Sequence, residues 1–128
     1  MPTVLLVENE AAILEGLRYA LECSGYTVLS AKSGESAIRI SQQYHGPIDV
    51  LVSDVQMHRI DGFEVAANVK AAHPTAIVIL MSGSPRYIFT DQVTADEFLE
   101  KPFTHNHLLA AIARHTTIPA HIGGPRES

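Results

Sequence analysis

Asp54 stands at the end of an apolar run, Ile48-Asp49-Val50-Leu51-Val52-Ser53. A carboxylate at the end of a buried strand is costly unless a cation or a hydrogen-bond partner meets it. Other polar residues stand at the same kind of place. Glu8 and Asn9 follow Val4-Leu5-Leu6-Val7, Ser82 follows Ala76-Ile77-Val78-Ile79-Leu80-Met81, and Lys101 follows Phe98-Leu99-Glu100. Acids so placed suit a hard divalent cation, since Mg2+ is usually held by one or two carboxylates with waters and phosphate oxygens completing its shell. A carboxylate is also a nucleophile toward phosphorus and forms an aspartyl phosphate. Phosphoryl transfer needs positioning and positive charge on the equatorial oxygens. In that chemistry Asp54 is the nucleophile, Glu8 the main metal acid and Lys101 the fixed cation. The Ser82 hydroxyl donates to a phosphoryl oxygen.

Strands must bring these residues together. Strand-like segments are Val4–Val7, Thr27–Ser30, Asp49–Ser53, Ile77–Met81 and Glu97–Leu99. Three of them carry Val, Ile and Leu on consecutive residues, as parallel strands buried on both faces do. Helical patterns lie between them. Ala11–Ser24 places Ile13, Leu14, Leu17 and Leu21 on one face, with Gly25 as its stop. Ser33 caps a helix over Gly34–Tyr44. Gly62–His73 turns Val65, Ala66 and Val69 inward and ends before Pro74. Thr104 caps His105–His115, which turns Leu108, Leu109 and Ile112 inward. Five βα units in sequence predict an α/β fold, a doubly wound parallel sheet with helices on both faces. In such sheets ligands bind at the carboxyl ends of the strands, near the switch in strand order. Glu8, Asn9, Asp54, Ser82 and Lys101 all fall at such ends.

The chain has 128 residues, 46% hydrophobic and 18% charged, which suits one domain with one core. No apolar run is long enough to span a membrane. The N-terminus lacks the basic region of a signal peptide. Cys23 is the lone cysteine, so no intrachain disulfide forms, and it reads as a small buried hydrophobe. These features fit the cytoplasm. The net charge is −5 and the nine Lys and Arg are scattered, which argues against nucleic-acid binding by this domain alone. The seven histidines show no zinc spacing and read as surface residues. The segment Thr116–Ser128, with Pro119, Gly123, Gly124 and Pro125, reads as a flexible tail or the start of a linker, leaving residues 1–116 as the domain.

Over residues 3–116 the chain resembles the receiver domains of two-component response regulators, the CheY-like fold. The resemblance rests on Val4-Leu5-Leu6-Val7-Glu8-Asn9-Glu10, on Asp54 with Met57 and Asp61-Gly62, on Met81-Ser82-Gly83, and on Phe98-Leu99-Glu100-Lys101-Pro102-Phe103. It implies a five-stranded flavodoxin-like sheet in the order 2-1-3-4-5. It implies that Asp54 accepts a phosphoryl group from the phosphohistidine of a sensor histidine kinase or a phosphotransfer protein. Mg2+ would be held by Glu8, by Asn9 beside it, by Asp54 and by the backbone carbonyl of Gln56. Ser82 and Phe98 take the family's two switch positions. Phosphorylation adds about 1.5 to 2 negative charges. Ser82 moves toward the new group and Phe98 turns inward. A downstream protein, an output domain or a second copy of the chain reads the change on the face of the fourth helix, fifth strand and fifth helix. Gln56 and Ser84 would tune the lifetime of the phosphoryl group, and the Lys101–Pro102 bond would be cis.

The chain departs from the family pattern in three places. Glu8 and Asn9 replace two acids, which predicts weaker metal binding, with Glu10 capping or facing solvent. His58 and Ile60 stand where the family has Pro and Met, which removes a fixed backbone angle. Nineteen residues lead from Ser82 to Lys101, shorter than usual by about one helical turn (~3.6 residues), so the fourth helix, over Arg86–Gln92, should be short. Two other functions compete with a phosphorylated switch. One is a degenerate receiver that binds partners independently of phosphorylation, favoured by Asn9 and the short fourth helix and opposed by intact Asp54, Ser82 and Lys101. The other is an aspartyl phosphohydrolase, which needs a second acid where Gln56 stands.

Overall fold

The computed structural model describes residues 2–57, 59–83 and 95–116. In chain order these form β1 (Thr3–Val7), α1 (Ala11–Cys23), β2 (Thr27–Ala31), α2 (Gly34–Gln43), β3 (Val50–Asp54), α3 (Gly62–Ala72), β4 (Ile77–Ser82), β5 (Glu97–Glu100) and α4 (His105–His115). The strands make one parallel sheet in the order β2-β1-β3-β4-β5, the order implied by the family resemblance. The short helix expected over Arg86–Gln92 lies outside the described residues. The helix called fifth in the family pattern is α4 here.

Alternation along the strands sorts side chains onto two faces. Val4 and Leu6 of β1, Val50 and Val52 of β3 and Ile79 and Met81 of β4 pack under Leu14, Leu17 and Leu21 of α1 and Leu108 and Ile112 of α4. Leu5, Val7, Leu51, Val78 and Leu80 face the other way, against Ala37 of α2 and Val65, Ala66 and Val69 of α3. All of β1 and β3 is buried, which is why these strands read as unbroken apolar runs.

The helix starts follow their caps. The Ser33 Oγ accepts from the Ser36 N–H at 3.1 Å, and the Asp61 carboxylate from the Glu64 N–H at 2.9 Å. The Thr104 Oγ1 accepts from the His107 N–H at 3.1 Å, while His107 Nδ1 accepts from the Thr104 N–H, a capping box closed by an imidazole. Gly25 takes a φ of 97° just past α1, where a side chain would be strained.

Three expectations need correction. Cys23 is exposed, because it lies two residues beyond Leu21 and so turns away from the buried stripe. Ile13, expected on that stripe, is exposed at its edge. His73 is not a plain surface residue. Its ring lies between two backbone groups, with Nε2 at 2.8 Å from the Ser41 carbonyl oxygen and Nδ1 accepting from the Ile48 N–H. It fastens the end of α3 to α2 and to the approach to β3. No helix among the described residues is long and apolar enough to cross a membrane.

Candidate functional site

Glu8, Asp54, Ser82 and Lys101 lie together at the carboxyl edge of the sheet. Asp54 is the last residue of β3 and Ser82 the last of β4; Glu8 and Lys101 follow directly on β1 and β5. The backbone fixes each position. The Glu8 N–H donates to the Ala31 carbonyl of β2, the Val55 N–H to Met81 of β4, and the Lys101 N–H to Ser82 at 2.8 Å. The Lys101–Pro102 peptide is cis.

Side chains converge from three strands. Lys101 Nζ donates to Asp54 Oδ2 at 2.9 Å and to Glu8 Oε1 at 3.2 Å. The other carboxylate oxygens accept from local backbone: Glu8 Oε2 from the Glu10 N–H at 3.1 Å, Asp54 Oδ1 from the Gln56 N–H at 3.3 Å. Glu8 is fully buried, Asp54 is 7% exposed and Ser82 2%. These values decide that the cluster is a built site and not a surface ion pair, because charges are buried only when paired. Burial alone would lower the Lys101 ammonium. The hydrogen bond and charge of Asp54, followed by those of Glu8, outweigh it and hold Lys101 above the usual lysine range.

Two carboxylates against one ammonium leave the cluster one negative charge in excess. All its side-chain acceptors are oxygens, the ligand set of a hard cation. The residues present therefore fit Mg2+. Asn9, the next residue along, is exposed, and so is Gln56. Asn9 and Met57 border an open cleft of about 460 Å³ together with Lys32 and Arg59. Glu10 makes no side-chain capping bond and faces solvent.

Phe98 lies on β5, half-buried against the α2 and α3 side of the sheet. Its ring centroid is 6.4 Å from that of Phe63, with the planes tilted by 57°. His58 and Ser84 lie outside the described residues.

The model of the response regulator receiver domain matches residues 4–113. The chain belongs to that family. Its receiver resembles the sensor kinase CckA of Brucella abortus, 38% identical over 113 residues that cover 86% of this chain and 12% of the kinase. The solved receiver domain of the hybrid histidine kinase CckA is 33% identical, with a TM-score of 0.75 over 88% of this chain and 97% of that one. The response regulator TrrA of Thermotoga maritima, solved in complex with Mg(2+)-BeF, is 28% identical, with a TM-score of 0.80 over 91% of this chain and 100% of that one. The chain spans 12 to 57% of the length of the first curated relatives it matches. Receivers are signalling switches and not a conventional enzyme family.

The cleft beside the cluster is bordered by residues that the sequence did not single out. Arg59 has a φ of 68° and pairs with Glu35 at 3.5 Å. Gly34 opens α2 in contact with Ile60. A glycine directly after the Ser33 cap, where no unusual angle is needed, was the one available signal.

Proposed function

We propose that this receiver accepts a phosphoryl group on Asp54 from a phosphohistidine of a sensor kinase or phosphotransfer protein. The observation that supports it most is the contact of the Lys101 ammonium with a nearly buried Asp54 carboxylate at 2.9 Å. An Asp54 oxygen attacks the phosphorus, the new O–P bond forms as the N–P bond breaks, and the electron pair leaves with the imidazole. Lys101 stays protonated throughout and offers its positive charge to the transferring oxygens. Ser82, at the end of the neighbouring strand, donates its hydroxyl to a phosphoryl oxygen. Glu8, Asp54, the Gln56 carbonyl and the Asn9 amide would hold Mg2+. When bound, it supplies the further positive charge that phosphoryl transfer needs.

The readout follows from the change in charge. A phosphoryl group on Asp54 competes for the Lys101 ammonium and draws Ser82 toward it. Phe98, half-buried beside Phe63, then settles inward, and the surface of β5 and α4 with the preceding segment changes. A downstream protein, output domain or second copy reads that surface.

Intact mass spectrometry tests the reading. A small phosphodonor with Mg2+ should add one phosphoryl group to the wild type and none to Asp54→Asn. Identical spectra for the two proteins would discard phosphorylation as the switch and leave a receiver that binds its partners without it.

A further inference from the structure

We infer that the first turn of α2 positions the metal-binding side of the Asp54 cluster; this rests on the proposal that Asp54 and the Gln56 carbonyl hold Mg2+. The connection from β3 to α3 is fixed at its far end by Gly62. A Cβ there would come within 2.5 Å of the Asp54 carbonyl oxygen and 2.8 Å of the Val55 Cα, and the Gly62 N–H donates to the Val55 carbonyl at 2.9 Å. The chain thus folds back onto the backbone of the phosphoacceptor itself.

Between these ends the connection leans on α2. A Cβ on Gly34 would lie 2.9 Å from the Ile60 Cβ, Cγ2 and carbonyl oxygen. Glycine weakens a helix, and Ser33 already supplies the cap. Gly34 is therefore explained by the close approach of Ile60. Next to it, Arg59 holds a φ of 68°, a region that costs energy for a residue with a side chain and persists where its surroundings over-determine it. The surroundings here are Glu35, paired with Arg59 at 3.5 Å, and the seat of Ile60 on Gly34. An exposed ion pair contributes little by itself. The steric seat of Ile60 on Gly34 carries the positioning. With no proline at position 58 to stiffen the connection, α2 does that work from outside. Gly34 and Ile60 are thus positioning residues: they touch no ligand and act through the backbone that carries Gln56.

Outer residues that orient metal ligands typically change affinity by about tenfold or more when altered. Mg2+ is titrated into unphosphorylated protein while the backbone amide shifts of Gln56 and Met57 are followed by NMR. Gly34→Ala pushes Ile60 away and Ile60→Ala empties its seat. Both should weaken Mg2+ binding by about tenfold. Urea unfolding in chelator shows that each variant is folded. If Gly34→Ala does not fold, Ile60→Ala decides alone. Affinities within about twofold of a wild type that binds Mg2+ would overturn the inference and spare the proposed function. A wild type that neither shifts with Mg2+ nor accepts a phosphoryl group would overturn the proposed function itself.

Discussion

The Lys101 ammonium lies 2.9 Å from one buried carboxylate and 3.2 Å from a second, and part of its own side chain reaches solvent. Lys101→Met keeps the length of the stem and leaves both carboxylates without their cation. Removing one partner of a buried ion pair costs about 3 kcal/mol or more, because the remaining charge stays desolvated. Urea unfolding in chelator should show a loss of that size, and Mg2+ should restore part of it by replacing the missing charge. The pH dependence has a definite sign. A lysine raised in the folded state contributes stability that is complete below its ordinary value of about 10.4 and fades only as pH rises through the raised one. The gap between wild type and variant should therefore hold steady from neutrality to about pH 10 and close above it. A gap that closed between neutrality and pH 9 would show that Lys101 is not held by these two acids.

Besides its apolar packing, α4 is tied to the sheet through an acid of β5. Glu97, at the start of β5, accepts from Arg114 and lies 2.8 Å from His115 Nε2, both in the final turn of α4. Burial alone would raise the Glu97 carboxyl, but hydrogen bonds from Arg114 and His115 and their charges hold it below the usual range. A depressed carboxyl contributes stability that is present above its ordinary value of about 4.3 and is lost as pH falls through the lowered one. Glu97→Gln should cost about 1 kcal/mol or less at neutral pH, since Arg114 is largely exposed. Its unfolding curve should merge with the wild type in acid, below about pH 4. This joint was not legible in the sequence, where Glu97 only began a strand and His115 only ended a helix. Ser33 and Thr104 were legible as caps because a cap is decided within three residues. Gly34, His73 and Cys23 were not, because each is decided by neighbours in space: Ile60 for the first, Ser41 and Ile48 for the second, and the position of the apolar stripe for the third.

At the scale of the molecule, parallel pairing places every loop that follows a strand on one edge of the sheet. Four short apolar runs, each with a polar residue after it, are therefore enough to bring Glu8, Asp54, Ser82 and Lys101 to one place. What the runs do not carry is the order of charges within the cluster, which depends on how far each side chain reaches. The same logic marks where the domain closes. Ile112 is the last fully buried side chain of α4. Thr116 finishes the helix, its N–H donating to the Ile112 carbonyl at 3.0 Å and its hydroxyl to the same oxygen at 2.9 Å. Among the described residues no fully buried side chain follows Ile112, and we propose that the receiver ends at residue 116. A chain cut after Thr116 should keep the urea midpoint of the full chain. It should keep the m-value, which scales with the surface exposed on unfolding. It should also gain the same phosphoryl adduct on Asp54. An unfolding free energy lowered by more than about 1 kcal/mol, or a smaller m-value, would mean that residues 117–128 pack on the core and that the domain is longer. An unchanged midpoint with a lost adduct would instead assign those residues to the phosphoryl site.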